Sequence, residues 1–146
     1  MSAVLRRCLA TIAAGLVLGA SALAVADGAS TAALGVEQLA AGVFVHLGQV
    51  GDFAPDNGGD LANLGFVIGE RCVAVIDTGG SRRVGASLLA AIRLRTALPV
   101  CYVIATHMHP DHLLGHAAFQ DLHPAFVGAA RQGPALAARA RGYLAR

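Results

Sequence analysis

The sequence has no lysine, only 14% charged residues and three cysteines. Without a lysine, the Gly79-Gly80 pair cannot belong to a phosphate-binding P-loop, and no G-x-G-x-x-G spacing offers a substitute. Low charge combined with 55% apolar residues excludes the disordered class. No internal repeat is present. All eleven basic residues are arginine, a usage that points to GC-rich bacterial coding. Two of them, Arg6 and Arg7, lie at the extreme N-terminus, and without them nine Arg face nine acidic residues. The remaining chain has no basic patch, so no nucleic-acid partner is expected.

Residues 1–26 have the form of a secretory signal. A short basic start at Met1 to Arg7 precedes the uncharged apolar run Cys8 to Ala24, and Ala24-Val25-Ala26 is a small-x-small cleavage site before Asp27. A secreted or periplasmic bacterial protein follows as the expectation, with no membrane contact after cleavage. Cys8 would leave with the signal, so Cys72 and Cys101 are the cysteines of the mature chain. In an oxidising compartment a disulfide is chemically open to them. The expectation here is two small apolar strand residues with Cα atoms within about 7 Å and free thiols.

Residues 27–35 are small and without periodicity, a flexible lead-in, and the domain proper is expected over 36–146. Gly42 to Leu47 and Leu64 to Ile68 read as strands, separated by a loop rich in Gly, Asn, Asp and Pro over 51–60. Cys72 to Ile76 is apolar at every position, which predicts burial on both faces. It ends on Asp77-Thr78-Gly79-Gly80. Ser81 can cap a following helix with the apolar stripe Val84, Leu88, Ala91 and Ile92, reaching towards Leu98-Pro99, with Arg82, Arg83, Arg93 and Arg95 in solvent. Val100 to Ala105 repeats the fully apolar strand, making a βαβ crossover with parallel strands. Then come a short helix at Asp111 to Phe119, a strand at Ala125 to Ala129 and a helix at Gln132 to Leu144.

The chemistry lies in four residues within a span of six at the end of the Val100 to Ala105 strand: His107, His109, Asp111 and His112. All are transition-metal ligand types. In extended chain, residues two apart point the same way, so His107 and His109 can grip one ion. Asp111 and His112, where the chain turns into helix, can face a second. His116, four residues beyond His112, falls on the same helical face. It reads as a polar residue near the site, with a surrogate-ligand role as the alternative. His46 and His123 have no ligand partner in sequence and read as structural.

Thr106-His107-Met108-His109-Pro110-Asp111-His112 resembles the H-x-H-x-D-H signature of the metallo-β-lactamase superfamily. Val75-Ile76-Asp77-Thr78-Gly79-Gly80-Ser81 resembles the family's strand and Asp-Thr-Gly turn one crossover earlier. Among exported members, Asn63 to Gly69 and Thr106 to Phe119 are most similar to the quinoprotein relay system zinc metallohydrolases.

The resemblance implies an α/β fold: the N-terminal half of an αββα sandwich, a mixed sheet with helices on one face, truncated before the second half. It further implies two zinc ions in the full domain, the first on His107 and His109 and the second on Asp111 and His112. Asp111 is then also the catalytic candidate, and Asp77 a carboxylate that orients the ligand loop, or else a strand-end residue bonded to backbone amides. The implied activity is hydrolysis, in which metal-bound hydroxide attacks an ester, thioester, lactone or lactam of a small-molecule substrate. One iron in an oxygenase of the sulfur dioxygenase kind is the less favoured cofactor, and an accessory protein or remnant of a quinoprotein pathway is the non-enzymatic alternative. Two protein ligands per metal fall short of the usual three. A missing C-terminal half or a partner chain is therefore expected to complete the site, and the 146-residue chain alone to be inactive.

Overall fold

A computed structural model of the protein describes residues 31–144. The expected signal segment, 1–26, lies outside the described residues. One mixed sheet of six strands organises the chain, in the order of the sequence: β1 (Glu37–Ala40), β2 (Val43–His46), β3 (Leu64–Ile68), β4 (Val73–Ile76), β5 (Val100–Ile104) and β6 (Ala125–Val127). The first four are antiparallel neighbours, whereas β5 pairs in parallel with both β4 and β6. Helix α1 (Arg82–Arg93) makes the β4 to β5 crossover, α2 (Pro110–Leu113) follows β5, and α3 (Gln132–Leu144) follows β6.

The helical stripe read from the sequence forms as expected. Ser81 accepts a bond from the Val84 amide at 3.2 Å, capping α1, and Val84, Leu88, Ala91 and Ile92 are buried. They pack on Leu64, Phe66, Val73, Val75 and Val103, the inner row of the sheet, with Phe119 closing the core. α1 stops at Arg93, earlier than the Leu98-Pro99 boundary suggested, and Arg95 turns back to donate to the Ala91 carbonyl while lying over the Phe44 ring.

Several expectations are corrected. β1 was not anticipated; it forms because Gly42, at φ 74, turns the chain back in a tight hairpin. Leu34 and Gly35, placed in the flexible lead-in, are tied down: the Leu34 amide donates to the Ser87 carbonyl at 3.0 Å and the His46 ring meets the Gly35 carbonyl at 2.8 Å. The helix expected over Asp111 to Phe119 is one α-turn followed by 3₁₀ turns at Leu114–Ala118 and Gln120–Leu122. Backbone packing explains the tightening, since the Gly115 amide donates to the Gly79 carbonyl at 2.8 Å while Gly115 also lies against Gly85 and Thr78.

Among the described residues one face of β4 and β5 is covered and the other is left partly open, so the apolar pattern on both faces finds cover on one. Burial alternates along β4, while along β5 Val100 and Val103 are buried and Cys101, Tyr102 and Ile104 are half-buried or exposed. The second face carries the cross-strand row Val43, Val67, Ala74, Tyr102 and Ala125, and beside it Val45, Gly65, Ile76, Ile104 and Val127. These side chains are half-buried to exposed, with Tyr102 at 48%. Apolar residues on both sides of a strand thus tell what the strand suits, not what covers it.

Cys72 and Cys101 have Cα atoms 5.8 Å apart, as expected of neighbours on parallel strands, but they are joined as a disulfide. The expectation of free thiols is overturned. The bridge closes a loop across 29 residues and ties β4 to β5 at the end opposite to Asp77 and Thr106. A loop of that size corresponds to about 3.5 kcal/mol of chain-entropy stabilisation. Reduction, or Cys72→Ser, should lower the unfolding free energy by about that amount in urea titrations, and a change below about 1 kcal/mol would contradict a native bridge.

Candidate metal centre

Asp77 ends β4 in left-handed backbone, φ 56, which a short polar side chain tolerates at modest cost. That conformation turns its buried carboxylate towards the end of β5. Its backbone amide donates to the Ile104 carbonyl at 2.8 Å, continuing the parallel ladder one residue further. Three donors then meet the carboxylate: the Thr106 amide at 2.9 Å, the Thr106 hydroxyl at 2.7 Å and His112 Nδ1 at 2.7 Å. Asp77 thus binds a backbone amide and also a hydroxyl and an imidazole of the histidine segment.

These bonds decide where the imidazole protons sit. The Thr106 hydroxyl spends its hydrogen on Asp77, so towards His107 Nδ1, 3.0 Å away, it can only accept. His107 therefore carries its proton on Nδ1, and its Nε2 lone pair faces His109 Nδ1 at 3.0 Å. His112 likewise donates from Nδ1 to Asp77, and its Nε2 lies 3.3 Å from Asp111 Oδ2. Two ligand-type atoms face each other there, an arrangement that suits a metal cation between them.

The four loop residues named from the sequence come together. The His107 ring centroid is 4.0 Å from that of His112 and 4.6 Å from that of His109, so both lie on one side of the backbone. Pro110, at the first position of α2, starts the turn that carries Asp111 and His112 round to them. The donors form two pairs, His107 with His109 and Asp111 with His112. Among the described residues, no three His, Cys, Asp or Glu side chains are grouped so as to hold one ion. The donor chemistry fits zinc at two protein ligands per ion, not a complete shell.

His116 is placed elsewhere. Thr78, buried, donates its hydroxyl to the His112 carbonyl at 3.1 Å and meets His116 Nδ1 at 2.8 Å, while the His116 ring stacks on Phe126 with centroids 5.0 Å apart. It supports the His112 backbone through Thr78. Burial lowers its pKa below the ordinary 6.5, against the opposing pull of Asp77 and a backbone bond to Leu113. His46 bonds to Gly35 and, from Nε2, to Asp60 at 2.7 Å, and His123 sits in left-handed backbone at φ 51; neither joins the site.

Two contacts were not legible from residue types. Gln132, at the start of α3, donates its side-chain amide to the His107 carbonyl at 3.0 Å, and Arg139 on the same helix reaches Met108. α3 thereby closes one side of a cleft of about 1100 Å³, which is bordered by His109, Asp111 and His112, the 48–53 loop and Asn63. Only the Ala-rich helical pattern hinted at α3, and nothing in it told which side it would take.

Replacing Asp77 with Asn keeps the shape but offers the Thr106 hydroxyl and His112 a neutral partner that accepts at one atom only. A loss of about 2–3 kcal/mol in denaturant stability is expected, from the buried donors left without an acceptor. A change within about 0.5 kcal/mol would show that the carboxylate does not organise the loop. For His116, a folded pKa below the unfolded one means that acid favours the unfolded chain. Its contribution to stability is complete above about pH 6.5 and is lost as pH falls towards the depressed folded value. Metal-free wild type should lose more stability over that acid limb than His116→Gln; parallel curves would refute the assignment.

Comparisons with known proteins bear on the same segment. The chain is similar to a solved structure described as a metallo beta lactamase from Hirschia baltica, at 20% identity and a TM-score of 0.61 over 74% of this chain and 48% of that one. The chain thus spans about half the length of that neighbour, and the likeness bears out the expected α/β fold as a partial domain. No curated protein matches the sequence. The model of the metallo-beta-lactamase superfamily matches residues 57–131, from the loop before β3 to the turn into α3. That match takes in half of the sequence, including Asp77 and the whole histidine loop, and by it the chain belongs to the metallo-beta-lactamase superfamily.

Proposed function

We propose that the chain carries the metal-binding half of an exported, zinc-dependent hydrolase acting on an ester, thioester, lactone or lactam of a small molecule. The observation that supports this most is that Nδ1 of both His107 and His112 is engaged in bonds that trace back to Asp77, which leaves Nε2 of each as the ring atom open to a metal. In this reading His107 and His109 hold one ion and Asp111 and His112 the other. Zinc, when bound, supplies polarisation of a carbonyl and activation of water near neutral pH. The chain's own residues do the rest. Asp77 keeps the ligand tautomers, Thr106 relays that order to His107, and in this reading Asp111, half-buried at the cleft edge, takes and returns a proton.

Export is supported by the pattern of residues 1–26 and by the Cys72–Cys101 bridge, since disulfides persist in oxidising compartments. Two protein donors per ion are one fewer than a catalytic zinc usually has. The remaining ligands, in this proposal, come from a second half or a partner chain, and the 146 residues by themselves bind metal without efficient turnover.

Cobalt(II) titration of the purified chain tests the assignment. We expect bound cobalt with nitrogen and oxygen ligation, lost in His107→Ala and in His112→Ala, and hydrolysis of a chromogenic lactam, a lactone and a thioester below detection. Absence of any His107-dependent metal binding would refute the reading. Tight binding of two zinc ions with turnover abolished by His107→Ala would instead overturn the claim that the chain needs completion.

A further inference from the structure

Two consecutive residues hold His112 from different sides. Asp77 takes the ring hydrogen, while Thr78 takes the backbone: its amide at 2.9 Å and its hydroxyl at 3.1 Å both donate to the His112 carbonyl. Thr78 is fully buried, so its hydroxyl is out of reach of bulk water and depends on protein partners. Its second partner is His116 Nδ1, 2.8 Å away.

That partner decides what the hydroxyl does, because a hydroxyl has a single hydrogen to give. If the hydrogen points at His116 Nδ1, a bare oxygen faces the His112 carbonyl oxygen at 3.1 Å and that contact turns repulsive. If it points at the carbonyl, which can only accept, His116 donates from Nδ1 and both contacts are hydrogen bonds. The second arrangement is better by one bond. Burial holds the His116 pKa below the ordinary 6.5, so at neutral pH the ring has one hydrogen to place. The stack on Phe126, with centroids 5.0 Å apart, fixes the plane of that ring. A chain of donors therefore runs from His116 Nδ1 through the Thr78 hydroxyl to the backbone of His112, next in sequence to Asp111.

We propose that His116 is a positioning residue for the pair Asp111 and His112: by keeping the Thr78 hydroxyl turned to the His112 carbonyl, it sets the affinity of that pair for its metal ion. The metal in this statement rests on the hydrolase reading; the relay from His116 to His112 does not.

NMR on the full metal-free chain tests the relay. The ring nitrogen shifts of the wild type should place the His116 hydrogen on Nδ1, and a hydrogen on Nε2 would overturn the proposal without any variant having to fold. His116→Phe keeps the stack on Phe126 but not the donor. It should speed exchange of the Thr78 amide hydrogen about tenfold, while the Val73 amide, bound to the Pro99 carbonyl at the other end of β4, stays within about twofold. His116→Asn, whose Nδ2 takes the place of Nδ1, should restore most of the protection. Equal acceleration at both amides, or an asparagine variant no better than the phenylalanine one, would each overturn the relay. Cobalt(II) titration then reads the metal side. His112 signals should saturate at about tenfold higher cobalt in His116→Phe and in Thr78→Val, no further in the double variant, with the His107 response unchanged. Additive losses, or equal weakening at His107, would overturn the assignment to this pair. A wild type that binds no cobalt refutes the hydrolase reading instead, and the metal-free exchange still judges the relay.

Discussion

The buried Asp77 carboxylate is the contact on which the rest of the site depends. A carboxylate out of water is costly unless its oxygens are met by donors, and here a backbone amide, a hydroxyl and an imidazole meet them. Each donor belongs to the segment that follows β5, Thr106 in the loop and His112 in α2. The same bonds that make the burial tolerable therefore fix the shape of the metal-ligating segment. Asp77 makes these bonds from left-handed backbone, a conformation that a short polar side chain tolerates.

Stability and site are arranged at opposite ends of one strand pair. β4 and β5 are bridged at one end by Cys72 and Cys101 and at the other by Asp77 and Thr106, with α1 packed along the face between them. Fixing both ends limits sliding of one strand past the other. The Asp77 to Thr106 bond, and through it the orientation of His107, depends on that register. The small residues Gly79, Gly85 and Gly115 let α1 and the turn after α2 approach the strand end closely, which brings His112 within reach of Asp77.

Legibility from sequence differed sharply between parts. The βαβ crossover, the Ser81 cap, the stripe on α1 and the convergence of His107, His109, Asp111 and His112 were all readable, because each is set by short-range spacing. β1 escaped because Glu37 to Ala40 is exposed and has no apolar alternation. The role of His116 escaped because proximity on a helical face says nothing about Thr78, 38 residues away in sequence. The oxidised state of Cys72 and Cys101 was open in the sequence, since two cysteines on neighbouring strands suit a core pair and a bridge alike.

By itself the sequence determined the order of the elements from β2 onward, the ligand types and their spacing, and the superfamily signature around them, because periodicity and local turn chemistry act over a few residues. Only the tertiary structure decided which imidazole nitrogens face inward, that Asp77 reaches Thr106 and His112 together, that α3 leans on the histidine loop through Gln132 and Arg139, and that one face of the central strands stays partly open. These depend on contacts between segments tens of residues apart. Their geometry is set by how the sheet and helices pack, and no local pattern encodes it.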